Sequence, residues 1–107
     1  MNESYAAIAP TRDEINALQE PVLIEFGAPW CGHCQAAQPL LAKALAAFPQ
    51  LSHLKIEDGP GQPLGRSFRV KLWPTLIFLR QGEEIARMVR PSDAAQIAQA
   101  IEQLVTP

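Results

Sequence analysis

Cysteine is scarce in this chain, with two among 107 residues. Two cannot staple a small secreted scaffold, in which several bridges stand in for a core. Charge is also sparse, at 19% against the ~25% of an average domain. Nine Lys+Arg against eleven Asp+Glu leave a net charge of -2, which gives no general affinity for nucleic acid. No apolar run approaches the ~18 residues that span a bilayer. The opening Met1-Asn2-Glu3-Ser4 is acidic and has no apolar h-region, so a secretory signal is not expected and a cytoplasmic location is. Internal repeats, low-complexity tracts and linkers are missing too. What the chain has is apolar residues, 48% of the total, enough to offset the entropy of ordering and exclude disorder. The length fits a single domain, residues 1–107. Ten prolines, about twice the average share of ~5%, fix many turns.

Along the chain, Tyr5–Ala9 is a short strand candidate closed by Pro10. Thr11-Arg12-Asp13-Glu14 has the form of a capping box and predicts a short helix through Ile15 and Leu18, ending before Pro21. Val22–Phe26 is apolar at four of five positions without alternation, as in a central strand buried on both faces. A long helix is expected from about Cys31 to Phe48, with Leu40, Leu41, Ala44, Leu45 and Phe48 on one face and Pro39 inside it. Between Leu51 and Glu57 residues alternate, with His53 and Lys55 on a polar or half-covered face. Pro63–Phe68 suits one or two helical turns. Thr75–Leu79 is a second apolar strand, joined through Gln81-Gly82-Glu83 to a hairpin partner, Glu84–Val89. Ser92 is placed to cap a last helix with Ile97, Ile101, Leu104 and Val105 buried. The order β-α-β-α-β-α-β-β-α implies crossover helices and parallel pairing first, then an antiparallel hairpin. The expected class is α/β, a mixed central sheet flanked by helices on both faces.

The chemical signal is Trp30-Cys31-Gly32-His33-Cys34, between the buried strand and the long helix. Two cysteines three apart on a first helical turn share a face and come within disulfide range. Cys31 lies where a helix start presents unpaired N–H groups and partial positive charge. Both favour a thiolate, so Cys31 is expected to ionise more readily than a free thiol, ordinarily near ~8.5. A thiolate is the attacking species in disulfide exchange. Cys34, one turn deeper, is placed to resolve a mixed disulfide formed at Cys31. Half a zinc site is the competing reading, but four ligands are normally needed. No second pair exists, and the histidines are His33 and His53 alone. Two inert structural cysteines are the other alternative, which the strand–loop–helix context disfavours.

With Val22–Pro39, Trp73-Pro74-Thr75 and the turn at Gly82, nearly the whole chain resembles the thioredoxin family. The resemblance implies a redox-active dithiol, no metal and no organic cofactor. It implies a cis Pro74 beside the cysteines, and a preceding residue, Trp73, whose backbone receives the client by strand addition. Trp30 matches a tryptophan that shields the site, and Pro39 a helix-kinking proline. Glu25 falls where thioredoxins commonly have a buried aspartate. Desolvation should raise its pKa, fitting it to take the Cys34 proton through water.

Departures from the family pattern carry their own expectations. Gly32-His33 replaces Gly-Pro and resembles protein disulfide isomerase. A cationic His33 able to donate to a thiolate should move the potential from ~-270 mV toward ~-180 mV. His53 replaces a lysine close to the buried acid. Arg90-Pro91 replaces a glycine, and with Arg69, Lys71 and Trp73 it would make a basic, aromatic rim near the client groove; ordinary solvated surface is the competing reading for these charges. The expected function is thiol–disulfide exchange with client proteins carrying disulfides or dithiols, chiefly as a reductase. An isomerase or oxidant, or a redox-sensing binding module, is the alternative. Catalytic candidates are Cys31, Cys34, Glu25 and His33; client-binding candidates are Trp30, Gly32, Trp73, Pro74 and Arg90. A separate reductase or oxidant must reset the pair, and the protein is expected to act as a monomer without nucleic acid or membrane.

Overall fold

Six consecutive residues without an exposed side chain, Val22–Gly27, form β1, the strand on which the sheet is built. It pairs on both edges, parallel to β2 (Ser52–Glu57) and antiparallel to β3 (Thr75–Arg80). β4 (Glu83–Val89) closes the order β2-β1-β3-β4. This computed structural model describes Met1 and residues 3–107; of the opening Met1–Ser4, Asn2 lies outside the described residues.

The sheet is mixed because of its connections. A parallel neighbour needs a crossover, which α2 (Gly32–Leu45) supplies between β1 and β2. The β3–β4 pair needs only a turn. Gln81 and Gly82 both have positive φ, 53° and 78°, and such a turn follows the right-handed twist of the two strands. A Cβ on Gly82 would also collide with the backbone of Asn16.

Alternation along the strands divides the core. Leu23, Leu76 and Phe78 pack under α2 and α4 (Ala94–Val105) with Leu41, Leu45, Ile97, Ile101 and Leu104. Ile24, Phe26, Ile56, Ile77 and Leu79 pack on the other face with Ile15 of α1 (Arg12–Asn16) and Leu64 of α3 (Pro63–Ser67). Helices therefore cover both faces. Among the described residues, none is long and apolar enough to cross a membrane.

Thr11 and Glu14 form the capping box expected from sequence, but the helix it starts ends at Asn16, short of the expected Leu18. Four other expectations are corrected. Tyr5–Ala9 is not a strand: it makes a backbone bond from Ala6 N to Lys55 O, 2.8 Å, and its one large aliphatic residue, Ile8, is 89% exposed. α2 ends at Leu45, three residues before Phe48. The His53/Lys55 face of β2 is buried rather than half-covered. In α4, Val105 is exposed and Ala100 takes its place in the buried stripe.

The cap of α4 moves as well. Asp93, not Ser92, is the N-cap, and its Oδ1 accepts from Gln96 N at 2.8 Å. A carboxylate at this position adds charge to the hydrogen bond, favourable against the helix dipole. Asp93→Ala is expected to cost ~1 kcal/mol, about 4 °C in thermal unfolding for a domain of this size. Ser92→Ala should change the midpoint far less, and the two melts compared check the assignment.

Candidate active site

Gly27 ends β1, and Ala28-Pro29-Trp30 turns the chain into α2. Cys31 is the N-cap of that helix, and its Sγ accepts a hydrogen bond from Cys34 N at 3.2 Å. The sulfur thus occupies the position where a serine or aspartate oxygen ordinarily satisfies an open helix N–H. Both cysteines are free and buried, Cys31 8% exposed and Cys34 2%. With Ala28 they form a small cluster against which Trp73 packs. The thiol of Cys34 is pushed up to about 12, first by burial and then by the Cys31 sulfur beside it. It therefore stays protonated at neutral pH until it is used.

Why Cys34 lies so close to β1 is visible at Gly27. A Cβ there would come 2.5 Å from Cys34 Sγ and 3.2 Å from the Tyr5 hydroxyl. A strand residue without a side chain lets the sulfur and the phenol settle against the backbone. Burial, then the nearby Cys34 and Glu25, hold the Tyr5 hydroxyl above its ordinary range, so it is neutral and able to donate.

Below the cysteines lies Glu25, 0% exposed. A carboxylate so deep requires partners, and it has them. Gln38 Nε2 donates to Oε2 at 2.8 Å, His53 Nε2 is 3.0 Å from Oε1, and Lys55 Nζ is 4.0 Å from Oε2. The polar face of β2 thus pairs with the polar residue of β1. Gln38 joins this cluster to the cysteines: its Nε2 also donates to Cys34 O at 2.8 Å, and its Oε1 accepts from Lys55 Nζ at 3.2 Å. The Lys55 ammonium lies 4.6 Å from the centre of the Tyr5 ring, where the ring face attracts a cation.

On the outer side, the Trp73–Pro74 peptide bond is cis and Pro74 is buried. Trp30 is 72% exposed and meets Trp73 edge-on, 5.5 Å between ring centres. Trp73 Nε1 donates to Asp58 Oδ2 at 2.8 Å, which fixes the indole. Arg90 is exposed, and its Nε donates to Trp73 O at 2.8 Å. Gly32 is exposed, and a Cβ there would touch nothing. His33 is exposed on the first turn of α2, and its side chain makes no hydrogen bond to either sulfur or to any other described residue, so the expected donation to a thiolate is not seen.

The fold thus brings Cys31, Cys34 and Trp73 together, with Glu25 beneath them, Trp30 and Arg90 against Trp73, and His33 turned outward. Sequence reasoning missed Gln38, Tyr5, Asp58 and the part played by Lys55. Gln38 had a usable signal, being four residues after Cys34 and hence on its helix face. Lys55 had one too, two residues after His53 on the same strand face. Tyr5 and Asp58 lie outside helices and strands, where periodicity says nothing.

Comparison with known proteins agrees with this arrangement. The family model described as Thioredoxin matches residues 8–103. Thioredoxin-1 of Saccharomyces cerevisiae is 32% identical over 89 residues, covering 83% of this chain and 85% of its own. Human protein disulfide-isomerase A2 is 42% identical over 92 residues, 80% of this chain, but the match spans 18% of that longer protein. Among solved structures, thioredoxin 2 from Pseudomonas aeruginosa PAO1 in its reduced form has a TM-score of 0.87 and 59% identity, over 98% of this chain and 97% of the other. A match across 8–103, a mixed four-stranded sheet covered on both faces and a Cys-x-x-Cys pair at the start of α2 lead to one conclusion: the chain belongs to the thioredoxin family, whose members are thiol–disulfide oxidoreductases.

Proposed function

We propose that residues 1–107 form one thioredoxin-like domain that exchanges a Cys31/Cys34 dithiol with client disulfides, chiefly as a reductase. The observation that carries this reading is the Cys31 sulfur serving as N-cap of α2 beside a buried, protonated Cys34. The Cys31 thiolate attacks one sulfur of a client disulfide. A Cys31–client bond forms, the client's own S–S bond breaks, and its second sulfur leaves as a thiolate that takes a proton from solvent. Cys34 then loses its proton and attacks the Cys31 sulfur. The mixed disulfide breaks, the client departs as a dithiol, and Cys31–Cys34 is left oxidised. Two electrons have passed to the client, and a thioredoxin reductase is the reaction partner that would return them. Glu25, hydrogen-bonded through Gln38 to the Cys34 carbonyl, is the proton acceptor for the second step, by way of a water.

Client contact falls to Trp30, Gly32, Trp73 and Pro74 around Cys31. Open space over Gly32 and an exposed Trp30 leave room for an extended segment. No metal or organic cofactor enters this chemistry. Cytoplasm, where thiols are kept reduced, suits a reductase. Catalytic reduction of insulin with dithiothreitol as electron donor tests the proposal: turbidity should develop many-fold sooner than with dithiothreitol alone. A chain that only binds partners would leave the lag unchanged.

A second reading, isomerase or oxidant, is favoured by Gly32-His33 and by the 42% identity with protein disulfide-isomerase A2. Equilibration with glutathione separates the two. A reductase should lie near ~-270 mV and an isomerase near ~-180 mV.

A further inference from the structure

The backbone carbonyl of Trp73 is already engaged. Arg90 Nε donates to it at 2.8 Å, and Arg90 N donates to Pro74 O at 3.0 Å. Arg90 reaches this position from the residue just after β4, with φ +50°, a left-handed conformation that a side chain other than glycine or asparagine adopts at some cost. Two donated bonds hold it there. Only Nε of the guanidinium is used: Nη1 and Nη2 have no hydrogen-bond or ion-pair partner among the described residues, and the residue is exposed. The arginine plane is thereby anchored at one edge, with its remaining N–H groups open. Its anchor, Trp73, packs against Cys31 and Cys34.

We propose that Arg90 is a specificity-determining residue that selects clients with a carboxylate flanking the attacked cysteine. The inference rests on the disulfide exchange proposed above. An arginine offers its N–H groups in a rigid fork that matches the two oxygens of a carboxylate. Ordinarily the loss of side-chain freedom offsets much of an exposed ion pair. Here the bond to the Trp73 carbonyl has already removed that freedom in the unbound protein, and preorganisation is what converts a weak contact into selectivity. No acidic side chain forms an ion pair with Arg90 among the described residues, and the nearby Asp58 carboxylate is engaged by the Trp73 indole instead. An anionic client segment lying along Trp30 and Trp73 therefore meets a directed cationic fork, while a lysine-flanked client meets like charge.

The test uses the pre-reduced protein and two peptides, each with one intramolecular disulfide, identical except that glutamate or lysine flanks the cysteines. Single-turnover reduction transfers two electrons from Cys31/Cys34 to the peptide, so no recycling enzyme is needed. Wild type should reduce the glutamate peptide about 5-fold faster at low salt, an advantage comparable to ~1 kcal/mol. The ratio should shrink as salt screens the pair. Arg90→Gln should bring it close to one, and Arg90→Lys should restore it only in part, because an ammonium cannot hold the carbonyl and present a fork together. A ratio near one in wild type, or one that Arg90→Gln leaves intact, overturns the assignment. Equal acceleration of both peptides by Arg90→Gln overturns it as well, since Arg90 would then be acting as a plug on the Trp73 carbonyl. If wild type reduces neither peptide, the exchange reaction itself fails; reduction of both at equal rates fails only the role of Arg90.

Discussion

Cys31→Ser should reduce insulin no faster than the dithiothreitol present, while Cys34→Ser should arrest halfway and carry one client chain in a covalent adduct. The two outcomes differ because the two sulfurs occupy different environments 3 residues apart in one turn. Cys31 Sγ sits at the open end of α2 and accepts the Cys34 amide proton, so it is placed to attack. A serine hydroxyl can keep that capping bond, so Cys31→Ser should fold with little loss of stability, and its inactivity is then chemical. Cys34 is buried and holds its proton up to about 12, so it is no competitor for the first attack. Removing its sulfur leaves the Cys31–client bond with nothing to displace it. Intact-mass measurement should find the adduct with Cys34→Ser, and dithiothreitol should release it. Alkylation gives an independent check. In the native reduced protein one sulfur should react at neutral pH and the second only after unfolding. Two equally reactive thiols, or an adduct equally stable with wild type, would overturn the division of roles.

The parts of this design that were legible in the sequence are those with a period or a spacing. Val22–Phe26 and Thr75–Leu79 announce buried strands because four of the five residues in each are apolar, without alternation. Thr11 and Glu14 announce a helix start because the capping box ties two residue types to one spacing. Cys31 and Cys34 announce a shared helical face for the same reason. What was not legible depends on which segment covers which. The alternation of His53 and Lys55 looks the same whether the far face meets solvent or protein, and it is Gln38 of α2 and the Tyr5 ring that meet Lys55 there, beside Glu25. Tyr5–Ala9 is apolar enough for an edge strand, yet among the described residues one backbone bond, from Ala6 N to Lys55 O, ties it to β2, and the Tyr5 side chain goes to Gly27 instead. Ser92 and Asp93 are both good caps in adjacent places, and composition cannot rank them. The Arg90 bond to Trp73 joins residues 17 apart across two segments outside regular structure, a contact with no sequence period at all.

Glu25 offers the sharpest separation between holding the fold and moving a proton. Glu25→Ala takes away the carboxylate but leaves the imidazole of His53 and the ammonium of Lys55 buried at 7% and 6% exposure. Breaking a buried charge pair by deleting one partner costs about 3–5 kcal/mol, which for a chain of this length is roughly 12–20 °C in the unfolding midpoint. Glu25→Gln behaves differently. Its carbonyl can accept from Gln38 Nε2, its amide can donate to a neutral His53, and the cavity stays filled. Part of the stability should therefore return, the buried Lys55 ammonium still lacking its counter-charge, while the site can no longer accept a proton. With the Cys34 thiol held protonated up to about 12, the second exchange needs a base. Loss of a positioned base typically slows a step by ~10²-fold or more. Rapid-quench sampling should accordingly find Glu25→Gln forming the Cys31–client disulfide at the wild-type rate and accumulating it, as Cys34→Ser does, but with slow release. Release at the wild-type rate would make Glu25 a purely structural counter-charge for His53 and Lys55. A slowed first exchange would place its effect on Cys31 instead of Cys34.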